Sequence, residues 1–448
     1  MRLKEKLLVL GLVFIFPVLL TNCSTVDGMF GSADGPPMEG ERISVLELTR
    51  SLEPEDPVLE ETGLVAPDAW RNEFWPQVGG YPNHSMQHLE LGPGPLTEVW
   101  TADIGDGSSD ELPLTAQPIV VDGRIFTLDT DSQLSAFQVT DGKRLWTRNV
   151  EDPDEDDPVI SGGLAFSDGR LYVTNGFNEL LAINPVNGKF FWRKKIAAPS
   201  RAAPTIMNGR VFISTLDNRL LALNAETGTL LWEHNGLSET AGLLGAASPA
   251  ANNEIVVPVF SSGEITALRV ANGSVAWSDN LSNLRRFGGL AGLADIKGLP
   301  VIDKGLVIAI SFSGRLVAID ERSGVRVWQR EIGGSETPWV AGNHIFVLSN
   351  NNQLIALGRE NGVIRWVVDL PRYEDPKSKE DPIVWTGPIF AGGRLILAGT
   401  GGRILEVTAN KGIVSQKWSV DRTVSIPPVI AGGTLYILAE DGTLSAFR

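Results

Sequence analysis

The stretch Gly209–Trp232, GRVFISTLDNRLLALNAETGTLLW, decides the fold because its pattern recurs along most of the chain. It holds three short apolar segments that favour strands, namely Val211–Ser214, Leu220–Leu223 and Leu230–Trp232. Thr227-Gly228 places a residue that tolerates positive φ in the turn before the last of them. With Pro204–Met207 upstream as a fourth strand, the unit predicts one antiparallel blade of a β-propeller in about 40 residues.

The copies of this unit end in a closing tryptophan. These tryptophans are Trp146, Trp192, Trp232, Trp277, Trp328, Trp366 and Trp418. The final copy begins at Gly433 and stops at Arg448 before it reaches a tryptophan, whereas the strand Leu96–Ile104 carries Trp100 ahead of the first copy. Pairing that strand with the last copy predicts an all-β fold. It is an eight-bladed β-propeller of four-stranded antiparallel blades, closed by its N-terminal strand.

An alanine recurs in the third strand of the unit. It stands at Ala136, Ala182, Ala222, Ala267, Ala318, Ala356 and Ala446, and Glu406 takes its place in the seventh copy. A small side chain here allows neighbouring sheets to approach, while the tryptophan covers the seam between them. The row therefore predicts radially packed sheets, with a single break at the seventh blade.

The chain has 448 residues, a formal net charge of −16 at pH 7 and a pI near 4.8. Such a length alone favours two or three domains, but the repeats place most of it in one propeller. The acidity argues against nucleic acid as a partner, because no basic stripe offsets the repulsion from phosphates. The motifs H-E-x-x-H, G-x-x-x-x-G-K-[ST] and G-x-S-x-G are absent from the sequence, so no catalytic residue is predicted.

Residues 1–22 are organised as a secretory signal peptide, with charges in Met1–Lys6 and an apolar run over Leu7–Leu20. The run is short for a transmembrane span and is followed by Cys23, the one cysteine of the chain. Leu20-Thr21-Asn22-Cys23 resembles the lipobox of bacterial lipoproteins, in which the cysteine becomes a lipid-bearing N-terminus. The resemblance implies lipid attachment at Cys23. The alternative is an ordinary signal peptide that happens to end near a cysteine.

Two segments separate Cys23 from the repeats. Residues 23–69 are acidic and rich in proline, which predicts a flexible tether. Within it, Glu41–Leu48 is either a strand that docks on the propeller or on a partner, or a short ordered piece of linker. Residues 70–95, with His84 and His88, predict a lead-in segment packed on the ring by its aromatic residues. Two histidines beside a proline-rich turn are weak evidence for a metal site, so no metal ligand is predicted.

Strand alternation assigns the loops of each blade to two faces. The turns between the first and second strands and between the third and fourth are short, as at Asp122-Gly123 and Asn187-Gly188. They lie on one face, the tight-turn face. The crossovers between blades share the other face, the crossover face, with the turns between the second and third strands. Because the longest crossovers are Asp279–Leu299 and Pro371–Val384, we expect the binding site on the crossover face.

The repeat pattern, G-x-[VIL]-Y/F, then L-x-A-[IL]-[DN], then T/N-G-x-x-x-W, resembles propellers of the pyrroloquinoline-quinone (PQQ) type over roughly residues 96–448. One group with this fold is the quinoprotein dehydrogenases. Resemblance to them implies a cofactor over the ring centre, an adjacent cysteine pair and Ca²⁺. Cys23 alone cannot form such a pair, so a PQQ-dependent enzyme is kept as an alternative and no cofactor is predicted. A periplasmic propeller that binds a solute or glycan at its ring centre is a further alternative.

The second group is the BamB family, lipoproteins of the machinery that assembles β-barrel proteins in the outer membrane. The chain resembles this family in its lipobox, acidic tether and eight repeats, and in the stretches Ala241–Pro249 and Leu293–Pro300. In that family these crossovers grip a periplasmic POTRA domain of the barrel-forming subunit BamA. The resemblance implies a non-enzymatic scaffold, lipid-anchored in the outer membrane and facing the periplasm. Its partners would be BamA, other assembly subunits and nascent outer-membrane proteins.

The partner-binding residues that this resemblance implies lie in the two crossovers. They are Leu243, Leu244, Arg285, Arg286, Asp295 and Lys297. Leu243 and Asp295 match an apolar and an acidic contact residue of the family, whereas Leu244 and Lys297 depart from its charge pattern. Leucines in glycine-rich sequence with charges around them suit an interface with an apolar centre and a charged rim. The alternative is that these leucines only cover the seams between blades.

Overall fold

The computed structural model describes residues 52–55, 63–154, 159–238, 246–282 and 295–448. The chain divides into two compact units, Met1–Ser51 and Leu52–Arg448, and only the second is described. The predicted signal peptide, the lipid-attachment residue Cys23 and the segment Glu41–Leu48 therefore lie outside the described residues. Within the described part, the regular structure is almost entirely β-strand.

The first half of the ring contains four blades, each built from four consecutive strands. After β1 (Glu98–Asp103), these strands are β2 (Ile119–Val121), β3 (Arg124–Leu128), β4 (Gln133–Gln138) and β5 (Arg144–Asn149) in blade 1; β6 (Gly163–Ser167), β7 (Arg170–Thr174), β8 (Glu179–Ile183) and β9 (Phe190–Lys195) in blade 2; β10 (Thr205–Met207), β11 (Arg210–Ser214), β12 (Arg219–Asn224) and β13 (Leu230–Asn235) in blade 3; and β14 (Ala250–Ala251), β15 (Ile255–Val257), β16 (Glu264–Arg269) and β17 (Val275–Asn280) in blade 4.

The second half contains four more blades and one extra hairpin. Its strands are β18 (Val301–Asp303), β19 (Leu306–Ser311), β20 (Arg315–Asp320) and β21 (Arg326–Arg330) in blade 5; β22 (Trp339–Ala341), β23 (His344–Leu348), β24 (Gln353–Gly358) and β25 (Ile364–Asp369) in blade 6; the hairpin β26 (Tyr373–Asp375) and β27 (Glu380–Pro382); β28 (Trp385–Ala391), β29 (Arg394–Gly399), β30 (Arg403–Thr408) and β31 (Val414–Ser419) in blade 7; and β32 (Val429–Ala431), β33 (Thr434–Leu438) and β34 (Thr443–Phe447) in blade 8.

Blade 8 takes its outermost strand from the other end of the repeat region. β1 pairs antiparallel with β34, and Trp100 lies opposite Ala446. Beyond the strands, the backbone N–H of Thr97 donates to Arg448 O at 2.8 Å and the N–H of Arg448 donates back to Thr97 O at 3.0 Å. The predicted eight-bladed propeller and its mode of closure are therefore confirmed.

Seven of the eight seams between blades share one repeated contact. The closing tryptophan of a blade pairs across its own sheet with the buried third-strand alanine, and its indole Nε1–H donates to a backbone carbonyl of the next blade. Seven tryptophans do this, with acceptors Val139 for Trp100, Pro185 for Trp146, Glu226 for Trp192, Val270 for Trp232, Glu321 for Trp277, Arg359 for Trp328 and Ala409 for Trp366. The predicted pairing of small and aromatic residues is thus what holds neighbouring blades together.

The turn glycine of the next blade completes this contact. Gly362 has a φ of 64°, and a Cβ built on it would lie 2.6 Å from the Trp328 ring. Gly188 stands in the same relation to the Trp146 ring, at 2.8 Å. The sequence assigned this glycine to the turn alone. The structure gives it a second reason, because any larger side chain would displace the tryptophan of the preceding blade.

The seam between blades 7 and 8 is built differently, and the assignment of Trp418 as a closing tryptophan was wrong. Gln416 lies opposite Glu406 at the closing position, and Trp418 lies opposite Ile404. The Trp418 indole N–H donates to Glu406 within its own blade, at 3.0 Å. In blade 8 the third strand, β34, and the fourth strand, β1, come from opposite ends of the repeat region and are not joined by a turn. A tryptophan at the closing position of blade 7 would therefore have no glycine turn to pack against. A buried ion pair, Arg394 with Glu406 at 2.6 Å, stands at this seam instead.

Residues 70–91, which we call the plug, fill the centre of the ring. The plug visits the innermost strand or its flanking turn in every blade, in the order in which the blades follow one another. It contacts blade 8 through Asn72, blade 1 through Trp75, blade 2 through Pro76, blade 3 through Gln77, blade 4 through Pro82, blade 5 through Asn83, blade 6 through Gln87 and blade 7 through Leu89. The innermost strands would otherwise present unpaired backbone groups to the channel.

Backbone pairing, more than aromatic packing, holds the plug in place. The N–H of Trp75 donates to Val120 O at 2.7 Å, and the Val120 N–H donates back at 2.9 Å. Trp75 is only 1% exposed, and Tyr81 packs against the same buried apolar cluster, whereas Trp70 and Phe74 are 36% and 41% exposed. The aromatic contacts of this segment are therefore made by Trp75, by Tyr81 and by the His88 ring, which stacks on Phe390.

Both plug histidines serve the fold. His84 has a φ of 58°, and its Nδ1 donates to Pro300 O at 2.7 Å. Burial lowers the pKa of His84 to about 4. His88 donates from Nδ1 to Pro67 O at 2.7 Å and accepts at Nε2 from the Gly393 N–H at 2.8 Å. Since both nitrogens of His88 are taken by backbone groups, this ring is not available as a metal ligand.

The buried and half-exposed tryptophans give a matched test of the inter-blade contact. Trp366 is 7% exposed, whereas Trp232 is only partly buried. We expect Trp366→Ala to lower the free energy of unfolding by about 3–5 kcal/mol and Trp232→Ala by about half as much. Trp366→Phe, which removes the indole N–H, should cost about 1 kcal/mol. Urea unfolding followed by intrinsic fluorescence measures all three, and an equal loss for both alanine variants would contradict this account.

His84 makes stability depend on pH in a predictable direction. Its ordinary pKa of 6.5 is lowered to about 4, so between these values the unfolded chain takes up a proton that the folded chain refuses. The free energy of unfolding therefore falls as the pH drops from 6.5 to 4, by on the order of 3 kcal/mol from this group. His84→Asn tolerates the positive φ and keeps a donor for Pro300, and should remove that loss.

The measured quantity is the free energy of unfolding in urea, and it is compared between wild type and His84→Asn at pH 7 and at pH 4.5. Asp129, whose pKa burial raises to about 6, contributes with the opposite sign. It cancels in the difference because both proteins retain it. A difference that does not change between the two pH values would show that His84 is not the cause.

Candidate functional site

Of the six residues predicted to bind a partner, only two belong to the part of the chain that the structure describes. Asp295 and Lys297 lie in the crossover that leads into β18. Leu243, Leu244, Arg285 and Arg286 lie in 239–245 and 283–294, outside the described residues. The structure thus leaves these four as predictions and locates the other two.

The ends of both crossovers are anchored in the ring. Ala247 follows the first loop and Ile296 follows the second, and both belong to one buried apolar cluster formed with blades 4 and 5. The Ser248 hydroxyl also donates to Ala203 O, at 2.8 Å. The two loops therefore leave the scaffold from neighbouring fixed points on the same face.

Asp295 and Lys297 differ in their access to solvent. Asp295 is 8% exposed, and its carbonyl accepts the backbone N–H of Phe312 at 2.9 Å. Lys297 is exposed. Between Lys297 and Leu299, Gly298 approaches the crossover into blade 6 so closely that a Cβ would lie 2.6 Å from Glu336 O. Of the two described predictions, Lys297 is the one whose charge is presented at the surface.

Sequence reasoning missed Glu336, which lies beside Lys297. Burial raises the pKa of Glu336, while the Thr386 hydroxyl at 2.7 Å, the Lys297 charge and the Gly387 N–H at 3.2 Å act in the opposite direction. The carboxylate thereby connects the crossover before blade 6 to the first strand of blade 7. Glu336 therefore links two blades through a hydroxyl and a backbone N–H. No second carboxylate is among these contacts of its side chain.

The second long crossover, Pro371–Val384, contains the hairpin β26–β27. Its strands are joined by a short polar turn, and its residues are mostly exposed. Arg403 pairs with Glu374 of the hairpin at 3.3 Å, which ties it to blade 7. The sequence identified this segment only as one of the longest crossovers. The Asp-Pro-Lys-Ser turn residues between two polar segments were the signal for a hairpin.

The ring centre, where a cofactor or solute would be expected in the alternative interpretations, is occupied by the plug. A cavity of about 320 Å³ lies elsewhere, between blades 6 and 7, beside Leu64 and Ala66. Its lining is mainly apolar and includes one titratable side chain, His344. Burial lowers the pKa of His344. One histidine in an apolar cavity does not make a catalytic set.

Within the described residues, no group of three or more histidine, cysteine, aspartate or glutamate side chains is placed to hold a metal ion. None of the helices there is long and apolar enough to cross a membrane. The described part of the crossover face therefore offers anchored loops, an exposed lysine and a projecting hairpin. Loops carried on a rigid scaffold in this way are common places for binding sites.

A family model described as outer membrane protein assembly factor BamB matches residues 131–368. Outer membrane protein assembly factor BamB from Yersinia pestis is 29% identical over 247 residues, which is 54% of this chain and 60% of that protein. The corresponding Escherichia coli protein is 27% identical over 205 residues, 45% of this chain and 50% of the relative. The chain thus spans half to three-fifths of the length of these relatives.

Solved structures agree on the fold. BamB from Moraxella catarrhalis superposes with a TM-score of 0.67 at 18% identity, covering 79% of this chain and 100% of that one. Quinohemoprotein alcohol dehydrogenase from Comamonas testosteroni gives 0.63 at 14% identity, covering 85% and 81%. At these identities the structures show a shared propeller and nothing further. The family model covers more than half of the sequence, including both crossover loops of the candidate site, and the chain therefore belongs to the family of the outer membrane protein assembly factor BamB.

Proposed function

We propose that this protein is a non-enzymatic scaffold that helps assemble outer-membrane proteins and binds its partner through the crossover face. The observation that carries the proposal is the family match over residues 131–368, which contains both crossover loops, 239–245 and 283–294. A match that includes the variable loops, and not only the blades, is what a shared binding function requires.

The partner in this proposal is a POTRA domain of the barrel-forming subunit BamA. Leu243 and Leu244 supply the apolar centre of the interface, and Arg285, Arg286 and Lys297 supply its charged rim. Asp295, being buried, acts by fixing the loop. A lipid on Cys23 holds the propeller at the outer membrane on its periplasmic side, and two or more acyl chains suffice for stable anchoring.

The arrangement of the face supports a protein partner over a small ligand. Lys297 and the hairpin β26–β27 project from a rim whose bases are fixed by Ile296 and Glu336. A rigid rim with protruding loops loses little conformational entropy when it binds a flat or convex surface. The ring centre, which a small ligand would use, is filled by the chain itself.

The proposed interface can be tested directly with substitutions in both crossovers and a matched control. Leu243→Asp should weaken binding to BamA by about 30-fold or more, as expected for an apolar residue at the centre of an interface. Lys297→Glu should weaken it less and should make the residual binding less sensitive to salt. Lys304→Glu makes the same charge change on the tight-turn face of blade 5 and should have no effect. Co-purification from solubilised membranes measures all three.

If Leu243→Asp and Lys297→Glu are expressed normally and both co-purify as much BamA as wild type does, the proposed binding face is wrong. Loss of binding in Lys304→Glu as well would point to a general charge effect. Asp295→Arg is not a useful variant, because the buried position would confound loss of contact with loss of fold.

The alternative, a PQQ-dependent dehydrogenase, is tested separately. We expect purified protein incubated with PQQ and Ca²⁺ to retain no stoichiometric chromophore after desalting and to reduce no dye, because the plug occupies the ring centre. A bound quinone at one equivalent, with dye reduction in the presence of an alcohol, would replace the scaffold proposal with the enzyme.

A further inference from the structure

Residues 52–55 lie against the outer edge of the ring, where blades 5 and 6 meet. The backbone N–H of Glu55 donates to Ile364 O at 2.9 Å. The Glu55 carboxylate receives two bonds from the Arg330 guanidinium, at 3.1 and 2.9 Å. Leu52 packs on the apolar cluster that blades 5 and 6 share. A short peptide is thus held by one backbone bond, one bidentate ion pair and one apolar side chain.

The receiving groove is made by the repeat itself. Arg330 follows the closing Trp328 by two residues, and its Nε–H donates to Gly362 O in the next blade at 2.6 Å. This bond aims the two remaining guanidinium nitrogens outward, toward Glu55. Ile364 precedes Trp366 by two residues and is 4% exposed beneath the peptide.

The same positions recur between blades 1 and 2. Arg148 follows Trp146 by two residues, and its Nε–H donates to Gly188 O at 2.9 Å, as Arg330 does to Gly362. Phe190 precedes Trp192 by two residues and takes the place of Ile364. At the remaining seams the arginine position carries Ala102, Lys194, His234, Asp279, Val368 and Trp418. The groove with an outward-facing arginine therefore exists twice in the ring.

The copy between blades 1 and 2 is uncovered. Phe190 is 37% exposed, and the guanidinium carbons of Arg148 and Arg193 are 5.9 Å and 5.2 Å from the centre of its ring. Arg193 pairs with Glu179 at 2.5 Å. Among the residues that the structure describes, no carboxylate pairs with Arg148. This groove thus has an exposed apolar ring and an arginine oriented by its Nε bond. The equivalent groove uses the same kind of arginine to bind the Glu55 carboxylate.

We propose that the groove formed by Arg148 and Phe190 is a second peptide-binding site, which takes an extended segment with a leucine three residues before a glutamate. The glutamate pairs with Arg148 in bidentate fashion, its backbone N–H bonds to the outer strand at Phe190, and the leucine covers the seam. The occupant is a segment of another protein, because the chain's own Leu52–Glu55 is engaged at Arg330. The site lies on the outer edge of the ring and does not depend on the crossover face.

The test uses full-length protein and a fluorescent peptide with the sequence of residues 51–56, SLEPED. Fluorescence anisotropy should show saturable binding that Arg148→Glu weakens at least tenfold and Phe190→Ser weakens several-fold. Lys194→Glu changes the charge at the same position of the next seam and should leave binding unchanged. Arg330→Glu should not weaken it either. The peptide SLEPKD, with the glutamate replaced by lysine, should bind Arg148→Glu better than it binds wild type.

The charge exchange separates a direct ion pair from a structural effect, since a misfolded seam would bind neither peptide. Absence of saturable binding to wild type would overturn the proposal. So would binding that Arg330→Glu removes and Arg148→Glu does not. If sedimentation instead shows a dimer that Arg148→Glu dissociates, the groove holds Leu52–Glu55 of a second copy, and the assignment to another protein is wrong.

Discussion

The contact of a closing tryptophan with the turn glycine of the next blade is the constraint on which the ring depends. It combines a ring packed on a position that has no Cβ with an indole N–H bonded to a neighbouring carbonyl, as for Trp328, Gly362 and Arg359. Both halves require a fixed distance and rotation between blades. Repeated at seven seams, the contact sets the geometry of the ring from residues within the blades alone. The crossovers are therefore free to vary in length and sequence without disturbing the ring.

Closure of the ring removes the repeated contact at the seam between blades 7 and 8, and it also determines the path of the N-terminal segment. Blade 8 is assembled from both ends of the repeat region, so it lacks the glycine turn. At this seam Glu406 and Gln416 stand where the other blades have alanine and tryptophan, and Glu406 forms a buried ion pair with Arg394. Removing one member of such a buried pair leaves the other uncompensated, typically at about 3–5 kcal/mol. The N-terminal passage completes the seam, since Arg394 also donates to Gly92 O at 3.0 Å. The residues just before Gly92 form the plug, so one N-terminal segment both completes this seam and fills the channel.

The plug divides the surface by function. It pairs backbone groups of the innermost strands that would otherwise line an open channel. What remains for recognition is the perimeter. The crossover face offers anchored loops with Lys297 exposed, and the outer edge offers grooves whose arginines are oriented by the neighbouring blade. Both surfaces are carried by blades that are fixed to one another by hydrogen bonds. Side chains held on such a frame lose little conformational entropy when they bind a partner.

The sequence by itself determined the number of blades, the strand that closes the ring and the rows of alanine and tryptophan, because these depend on short-range periodicity and turn chemistry repeated eight times. It also located the crossover face, since strand alternation fixes which loops share a side. Only the tertiary structure decided that Gln416 and not Trp418 holds the closing position, since a shift of two residues leaves the strand pattern unchanged. The circuit of the plug, the burial of Asp295 and the likeness of Arg148 to Arg330 were likewise decided there. They arise from backbone hydrogen bonds and from contacts between distant residues. Arg148 and Arg330 do follow a closing tryptophan at the same distance in the sequence, but that spacing does not show which guanidinium group already has a carboxylate partner.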